Sequence, residues 1–317
     1  MVAAESITNS ITLDSFPERL APVFVKELRQ GLRARRFVLP FLSIHILAAI
    51  LVAIQFALGY FADQNEATHG LGSFAGSLLD GGILLLLWVI VGIVMPLTGI
   101  DALQAELAEE RNIELLMMAG LSRWQIMRGK WLVLCVLSGL IMVSMFPYML
   151  TLYFTGGVEL VAQTTQFAVL WVFNIVMSAI IVGASGFRHL LGRFLVIGIA
   201  FGSYSFTAGI AAAAFSTPFS GGSSVWMPMV GILNYLLVAI LYTIYGLQLG
   251  RDRLRIYSHP LDPGVASGII GILIFTPMLA GVGLILGMLG VFLVLCGLLV
   301  LTQAISRAED GGAPPVP

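Results

Sequence analysis

Long apolar runs, each long enough to cross a lipid bilayer, constrain this chain more than any other feature. A helix rises about 1.5 Å per residue and the hydrocarbon core is about 30 Å thick, so a span needs roughly 20 apolar residues. The runs lie at 37–61, 82–104, 131–155, 167–186, 194–214, 228–249 and 264–306. The last run is about twice the length of one span, and we interpret it as two helices. The sequence therefore predicts an all-α, polytopic transmembrane helical bundle of about eight spans.

Basic residues predict the orientation of this bundle, because cytoplasmic loops are enriched in Lys and Arg. The opposite set of loops, at 62–81, 156–166, 215–227 and 280–283, contains neither residue. All 16 basic residues fall on the other side of the predicted membrane: Arg19, Lys26, Arg29, Arg33, Arg35, Arg36, Arg111, Arg123, Arg128, Lys130, Arg188, Arg193, Arg251, Arg253, Arg255 and Arg307. We therefore expect both termini to be cytoplasmic.

Composition leaves little room for a soluble domain, since only 10% of residues are charged and 58% are hydrophobic, whereas soluble domains carry about 25% charged residues. Residues 1–20 are expected to form a cytoplasmic N-terminal segment rather than a cleaved signal peptide. An amphipathic interfacial helix is predicted at 21–36. The transmembrane domain follows at 37–306, and a disordered cytoplasmic tail at 307–317.

Charge placement disfavours several classes of protein. A net charge of -1 argues against a nucleic-acid partner, which needs a basic face. The predicted spans contain no Asp, Glu, Lys or Arg in their interiors, and Asp101 lies at the inner end of the second span. That pattern disfavours an ion-coupled transporter. Four weakly polar side chains within the spans are expected to make interhelical hydrogen bonds: His45, Gln55, Asn174 and Asn234.

Enzyme, metal and cofactor motifs are missing from the sequence. The four histidines are scattered, and neither H-E-x-x-H nor G-x-S-x-G occurs. The Arg-Gly-Lys-Trp stretch at 128–131 lacks the glycine spacing and the Ser or Thr of a phosphate-binding loop. Cys135 and Cys296 lie in apolar runs, where a thiol behaves as a small hydrophobe. We expect no catalytic residue, metal site or cofactor. Two glycine pairs with small-xxx-small spacing are expected to serve packing: Gly264 with Gly268, and Gly283 with Gly287.

The segment 21–36, with the sequence APVFVKELRQGLRARR, predicts an amphipathic helix. Pro22 suits a first helical turn. Basic residues recur on one face and an apolar stripe follows another, which is typical of a helix lying in the membrane interface with its cations near anionic headgroups. The residues of interest in this helix are Lys26, Glu27, Arg29 and Arg33.

The inner segment 104–130 combines acids with an apolar patch. Glu106, Glu110 and Glu114 are four residues apart, a spacing that is unfavourable unless cations neutralise it. An apolar and aromatic stretch at 115–126 follows, interrupted by Gly120, with Ser122 as the expected N-cap of a second short helix. Exposed apolar residues in a polar loop mark a docking surface. The alternative is that the patch rests on the membrane.

The stretches PVFVKELRQGLRARR and AEERNIELLMMAGLSRWQIMRGKW resemble the membrane subunits of ABC-2 type exporters, the bacterial ABC transporter permeases. In that family the first stretch is an elbow helix, and the second holds a coupling helix that docks on a separate ATPase. The chain departs from the family pattern at Asn112, Ile113 and Gly120, and by two predicted spans beyond the usual six. The motif E-(E/K)-R-x-x-G-T-x-E-x-L-L, a Leu-Ser turn and Ile-x-x-Gly-Lys are matched by Glu109, Glu110, Arg111, Glu114, Leu115, Leu116, Leu121, Ser122, Ile126, Gly129 and Lys130.

The resemblance implies a permease subunit in the bacterial inner membrane, forming a pathway with a second copy or a paralogue and driven by a separate nucleotide-binding ATPase subunit. Membrane lipid is a further expected partner. An ion-coupled secondary transporter and a lipid-modifying membrane enzyme are the alternatives. The expected ATPase-docking residues are Glu110, Arg111, Glu114, Leu121, Ser122, Trp124, Ile126 and Lys130.

Single cysteines introduced into a cysteine-free background will test the topology. A membrane-impermeant maleimide added to sealed cells is expected to label the outer positions and to miss the inner ones, because the bilayer shields the inner loops. Labelling at position 122 in sealed cells would reverse the orientation. The outer positions are Asn65, Gln163 and Ser220, and the inner ones are Ser122 and Ser258.

Overall fold

The computed structural model describes residues 22–64, 82–104, 123–154, 160–216 and 226–253. These residues form helices and short turns, and no strand occurs among them. The predicted spans within 264–306, and the glycine pairs they contain, lie outside the described residues.

Seven helices make up the described part of the chain. α3 contains a π-helical stretch at Trp88–Val94 and ends in the short α-helical segment Met95–Leu97. The helices are α1 Pro22–Arg33, α2 Arg35–Gln64, α3 Gly82–Leu97, α4 Arg123–Phe154, α5 Leu160–Ala184, α6 Leu190–Ser216 and α7 Trp226–Arg253.

Three of these helices are long and apolar enough to cross a membrane: Arg35–Ile54 within α2, Trp124–Phe154 within α4 and Gln163–Ala184 within α5. Shorter apolar stretches lie in α3, α6 and α7. Large apolar side chains cover the exterior, including Leu39 at 65% exposure and Val143 at 74%. An apolar exterior around a packed interior is stable in lipid and costly in water. The described chain is therefore a helical membrane protein.

Two predicted boundaries differ from the structure. The second run was expected to be helical to residue 104, but α3 ends at Leu97 and residues 98–103 form tight turns with bonds such as Gly99 N–H to Pro96 O at 3.0 Å. The expected short helix after Ser122 is instead the beginning of α4, which runs without a break from Arg123. The charged residues at 123–130 lower the hydropathy of the first turns of α4 below that of a span, although these turns belong to the same helix as the span.

α1 is a 12-residue helix followed by a break at Ala34, shorter than the helix predicted at 21–36. It packs against α4, where a Cβ on Gly31 would lie 2.9 Å from Leu137 Cδ1. Phe24 and Leu28 contact the apolar cluster between α2, α3 and α4. Lys26, Arg29 and Arg33 are exposed. The apolar side of α1 thus rests on protein, and its basic side is free.

α5 is the central helix, because its apolar segment is mostly buried in the bundle, whereas that of α2 is mostly exposed. It packs against α3, α4, α6 and α7. Its closest approach is to α7, where Ala179 and Gly183 face Gly246 and Gly250. A Cβ on Gly246 would lie 2.7 Å from the carbonyl carbon of Ala179, and one on Gly183 would overlap the carbonyl oxygen of Gly246. The two backbones are in direct contact, as small-xxx-small pairs permit.

Gln163 is only 6% exposed within α5. A cysteine at this position would react slowly even on the outer side of the membrane, so the outer arm of the labelling experiment depends on Asn65 and Ser220.

Substituting Gly246→Ala is expected to destabilise the protein by about 1–3 kcal/mol, because the added methyl group forces the α5 and α7 backbones apart. Gly198→Ala is the matched control, since nothing lies within 4 Å of a Cβ at that helical position. Thermal unfolding in detergent measures both variants. Equal shifts in Tm for the two substitutions would show that the α5–α7 contact is not tight.

Candidate functional site

The predicted docking residues divide into two groups. Glu110, Arg111, Glu114, Leu121 and Ser122 lie outside the described residues. Trp124, Ile126 and Lys130 lie on the first turns of α4.

The three described docking residues have different surroundings. Ile126 is 2% exposed and packs in an apolar cluster with Leu103 and Leu247. Trp124 is half-buried at the edge of this cluster, and the Arg128 guanidinium lies 4.6 Å from its ring centroid. Such a cation–π contact stabilises the position of the indole. Of the three side chains, Trp124 offers a partner the most surface.

Lys130 joins the beginning of α4 to α1. Its Nζ lies 3.1 Å from Glu27 Oε1, and the side chain is 6% exposed. A buried ammonium needs such a carboxylate. The glutamate spacing in the 104–130 segment predicts cationic partners, but Glu110 and Glu114 lie outside the described residues. The ion pair that is described has the reverse polarity, with the acid on α1 and the base on α4.

A second ionic contact joins residues 98–104 to the first turn of α6. Arg193 Nη1 donates to Asp101 Oδ1 at 2.8 Å, and the Arg193 side chain is 7% exposed. The Arg193 guanidinium also donates to Phe187 O at 2.8 Å and to Ile100 O at 3.4 Å. Arg36, which is 67% exposed, approaches the other Asp101 oxygen at 3.9 Å.

Neutral hydrogen bonds reinforce the same junction. Gln104 Nε2 donates to Ser185 O at 2.7 Å and to Phe187 O at 3.4 Å. The backbone N–H of Leu103 donates to Ser185 Oγ at 3.2 Å. Charged side chains, the neutral Gln104 amide and a backbone N–H therefore hold the end of the second predicted span against the α5–α6 turn and the first turn of α6.

These contacts define one end of the bundle, which we call the basic end. It consists of α1, the first turns of α2 and α4, residues 98–104, the α5–α6 turn and the last turns of α7, where Gly250 contacts Met127. The Lys and Arg side chains that the structure describes are gathered here: Lys26, Arg29, Arg33, Arg35, Arg36, Arg128, Lys130, Arg188, Arg193 and Arg251.

A neutral polar network crosses the middle of the bundle. Asn174 of α5 is fully buried, accepts a hydrogen bond from Ser138 of α4 at 2.5 Å and donates to Val91 O of α3 at 2.5 Å. In the π-helical stretch the Met95 N–H bonds Ile90 O. The next donor in that pattern would be residue 96, a proline, so Val91 O is free to accept from Asn174. The interhelical hydrogen bond predicted for Asn174 is confirmed.

His45 behaves differently from this prediction. Its Nδ1 lies 2.6 Å from Phe41 O of the same helix, and its ring packs edge-on against Tyr148 of α4. Its hydrogen bond is therefore local, and its contact between helices is aromatic. The side chains of Gln55 and Asn234 lie outside the described residues.

Buried tyrosines fill the space between α5, α6 and α7. The Tyr204 ring lies 5.4 Å from that of Tyr242 and 5.8 Å from that of Tyr235. Tyr235 donates to Val169 O at 3.2 Å, and the hydroxyls of Ser203 and Tyr242 share a hydrogen bond. Sequence reasoning missed this cluster, although the tyrosine spacing on α7 at 235, 242 and 245 marks one face of a helix.

Sequence reasoning also missed the tight crossing of α5 and α7. The signal was present in Ala179-xxx-Gly183 and Gly246-xxx-Gly250, two small-xxx-small pairs in neighbouring spans. The spacing is common in a glycine-rich chain, and only the structure shows which pairs face each other.

Comparisons of this chain with protein-family models, with curated proteins and with solved structures gave no match.

Replacing Asn174→Leu is expected to destabilise the protein by about 1–2 kcal/mol, because the Val91 carbonyl loses its donor. In a Pro96→Ala background the cost should shrink, since residue 96 regains an N–H that can satisfy Val91 O within the helix. Ser144→Ala is the control, because Ser144 bonds only its own helix at Ile141 O. Denaturant unfolding of the single and double variants measures the coupling, and equal costs in both backgrounds would contradict the proline argument.

Proposed function

We propose that this chain is the membrane-spanning permease subunit of an ATP-binding-cassette exporter, driven by a separate ATPase subunit. Two copies, or this chain and a paralogue, would form the translocation pathway in a bacterial inner membrane. The proposal includes about eight spans and cytoplasmic termini. ATP hydrolysis belongs to the partner, in keeping with a sequence that carries no phosphate-binding loop.

The observation that carries the proposal is the pairing of the two motif segments. The ABC-2-like stretch at 108–131 runs into α4, and the first turns of that helix bond to α1 through Lys130 and Glu27 at 3.1 Å. An elbow helix and a coupling segment that are joined by a buried ion pair can move together when a partner pushes on either one. This supports a role of the basic end in receiving force.

α1 fits the role of the interfacial elbow helix. Its exposed Lys26, Arg29 and Arg33 point away from the apolar contacts that Phe24 and Leu28 make with the bundle. Cations at the level of the headgroups are attracted to anionic lipid. Membrane lipid is therefore the proposed partner of this face.

The alternative functions require polar groups at different places in the bundle. An ion-coupled transporter needs charge or an open carbonyl array within the spans. The buried Asn174 network is neutral. The Val91 carbonyl, which the π-helical stretch leaves without a backbone donor, accepts a hydrogen bond from the Asn174 amide. The ionic contacts of the described residues are at the basic end, where an ATPase would dock. This distribution favours energy input from the cytoplasmic side.

Changing Trp124→Ala or Leu121→Asp is expected to abolish co-purification of an ATPase subunit and substrate-dependent ATP hydrolysis, with membrane insertion retained. Trp124 would lose an interface anchor, and an aspartate at 121 would bury an unpaired charge. Pull-down from native membranes followed by an ATPase assay measures both effects.

Trp171→Ala is the matched control, because Trp171 is 47% exposed on α5 within the apolar exterior and far from residue 121 in sequence. It should leave co-purification intact. A wild-type chain that never brings down an ATPase, yet moves or modifies a substrate, would overturn the proposal and favour the secondary transporter or the lipid-modifying enzyme.

A further inference from the structure

Residues 98–104 and 185–193 meet at the basic end, although they belong to different hairpins of the chain. We propose that they form one mechanical unit, the turn clamp, which transmits a displacement at Gln104 to α7. The inference rests on the proposed function in that Gln104 is where the predicted docking segment begins. The contacts of the turn clamp are all within this chain and do not depend on a partner.

Arg193 is the central side chain of the turn clamp. From the first turn of α6, its Nε bonds Phe187 O of the α5–α6 turn at 2.8 Å, and its Nη1 bonds Asp101 at 2.8 Å. One planar guanidinium thus holds both segments. The Arg193 side chain is buried, at 7% exposure, and the Asp101 side chain is 47% exposed. Asp101 cannot shift without breaking this bond or carrying the α5–α6 turn with it.

Gln104 and Leu103 attach the same two segments at further points. The Gln104 amide bonds Ser185 O at 2.7 Å, and the Leu103 N–H bonds Ser185 Oγ at 3.2 Å. Because these bonds join other residues than the Asp101–Arg193 pair does, the two segments are attached at more than one point. They move as a body.

Close packing connects the turn clamp to α7. Leu103 is fully buried against Val182 of α5 and Leu247 of α7. Gly183, one residue further along α5, contacts the α7 backbone at Gly246. Close-packed interiors transmit displacement rather than absorb it. A shift of residues 98–104 therefore reaches α7 both through Leu103 and through the end of α5.

Asp101→Asn in the full-length chain tests the turn clamp, because it keeps the volume of the side chain and removes its charge. Hydrogen exchange of the purified protein in nanodiscs is the measurement. Exchange is expected to rise about tenfold or more in both 98–104 and 185–193, since loss of a buried charge partner opens both segments together. Gln104→Ala, a milder change, should raise exchange in the same two segments by a smaller factor.

Arg188→Gln is the matched control, because Arg188 is an exposed arginine of the same turn. It should leave exchange unchanged. Arg193→Lys, which keeps the charge but loses the forked geometry, should rescue part of the protection that Arg193→Gln loses. If Asp101→Asn raises exchange in 98–104 alone, the two segments are independent and the turn clamp is overturned.

A second measurement follows transmission. With the ATPase bound, Mg-ATP is expected to change exchange in 185–193 and 245–250 of the wild type, and this change should be lost in Asp101→Asn while co-purification and basal hydrolysis persist. A nucleotide effect that still reaches 245–250 in the variant overturns the transmission role. Failure of the proposed function has a different signature, because no ATPase would then co-purify with the wild type, and the exchange of the chain alone would still decide whether the turn clamp exists.

Discussion

The backbone contact between α5 and α7 is the constraint on which the rest of the bundle depends. In lipid, apolar side chains gain little by leaving hydrocarbon for protein, so helices associate through close van der Waals contact and hydrogen bonds. The meeting of Ala179 and Gly183 with Gly246 and Gly250 supplies such contact. It also sets the position of α5, to which the other helices attach: α4 through the Trp131 indole to Ile175 O at 3.0 Å, and α3 through Asn174.

Polar chemistry is divided along the length of the bundle. The middle contains neutral donors and acceptors, of which Asn174 is the most connected, whereas the buried cations Lys130 and Arg193 lie at the basic end. The division follows from solvation, because an amide satisfied by a neighbouring helix is tolerated in hydrocarbon and an ion is not. Each buried cation has a carboxylate on a different chain segment, so charge neutralisation at the basic end also serves as attachment between segments.

The positions of the helices could be predicted from sequence, because a run of apolar residues is a direct consequence of bilayer thickness. Their ends could not. α3 stops at Leu97 and tight turns follow it, a change of backbone that a hydropathy count does not register. α4 begins eight residues before its predicted start, because Ile126 and Met127 are buried by tertiary contacts while the flanking Arg123, Arg128 and Lys130 lower the local hydropathy.

The candidate site was predictable to a similar degree. Asp101 and Arg193 were each placed on the inner side from their flanking runs, but their pairing depends on how the second and fifth spans pack, which one sequence does not reveal. The same holds for Glu27 and Lys130, whose charges were noted separately. Residue type and side of the membrane follow from solvation, whereas partners follow from packing.

The α5–α6 turn combines these two kinds of contact. Before the turn, α5 is in backbone contact with α7 at glycine residues. After the turn, Arg193 of α6 forms an ion pair with Asp101, which a change of charge at either residue would remove. The weaker Arg36 contact at 3.9 Å, with both partners largely exposed, cannot replace the loss of Arg193, because solvent and salt screen it. The Arg193 guanidinium and the Asp101 carboxylate are therefore the ionic part of the attachment between α6 and residues 98–104, beside the neutral hydrogen bonds of Leu103 and Gln104.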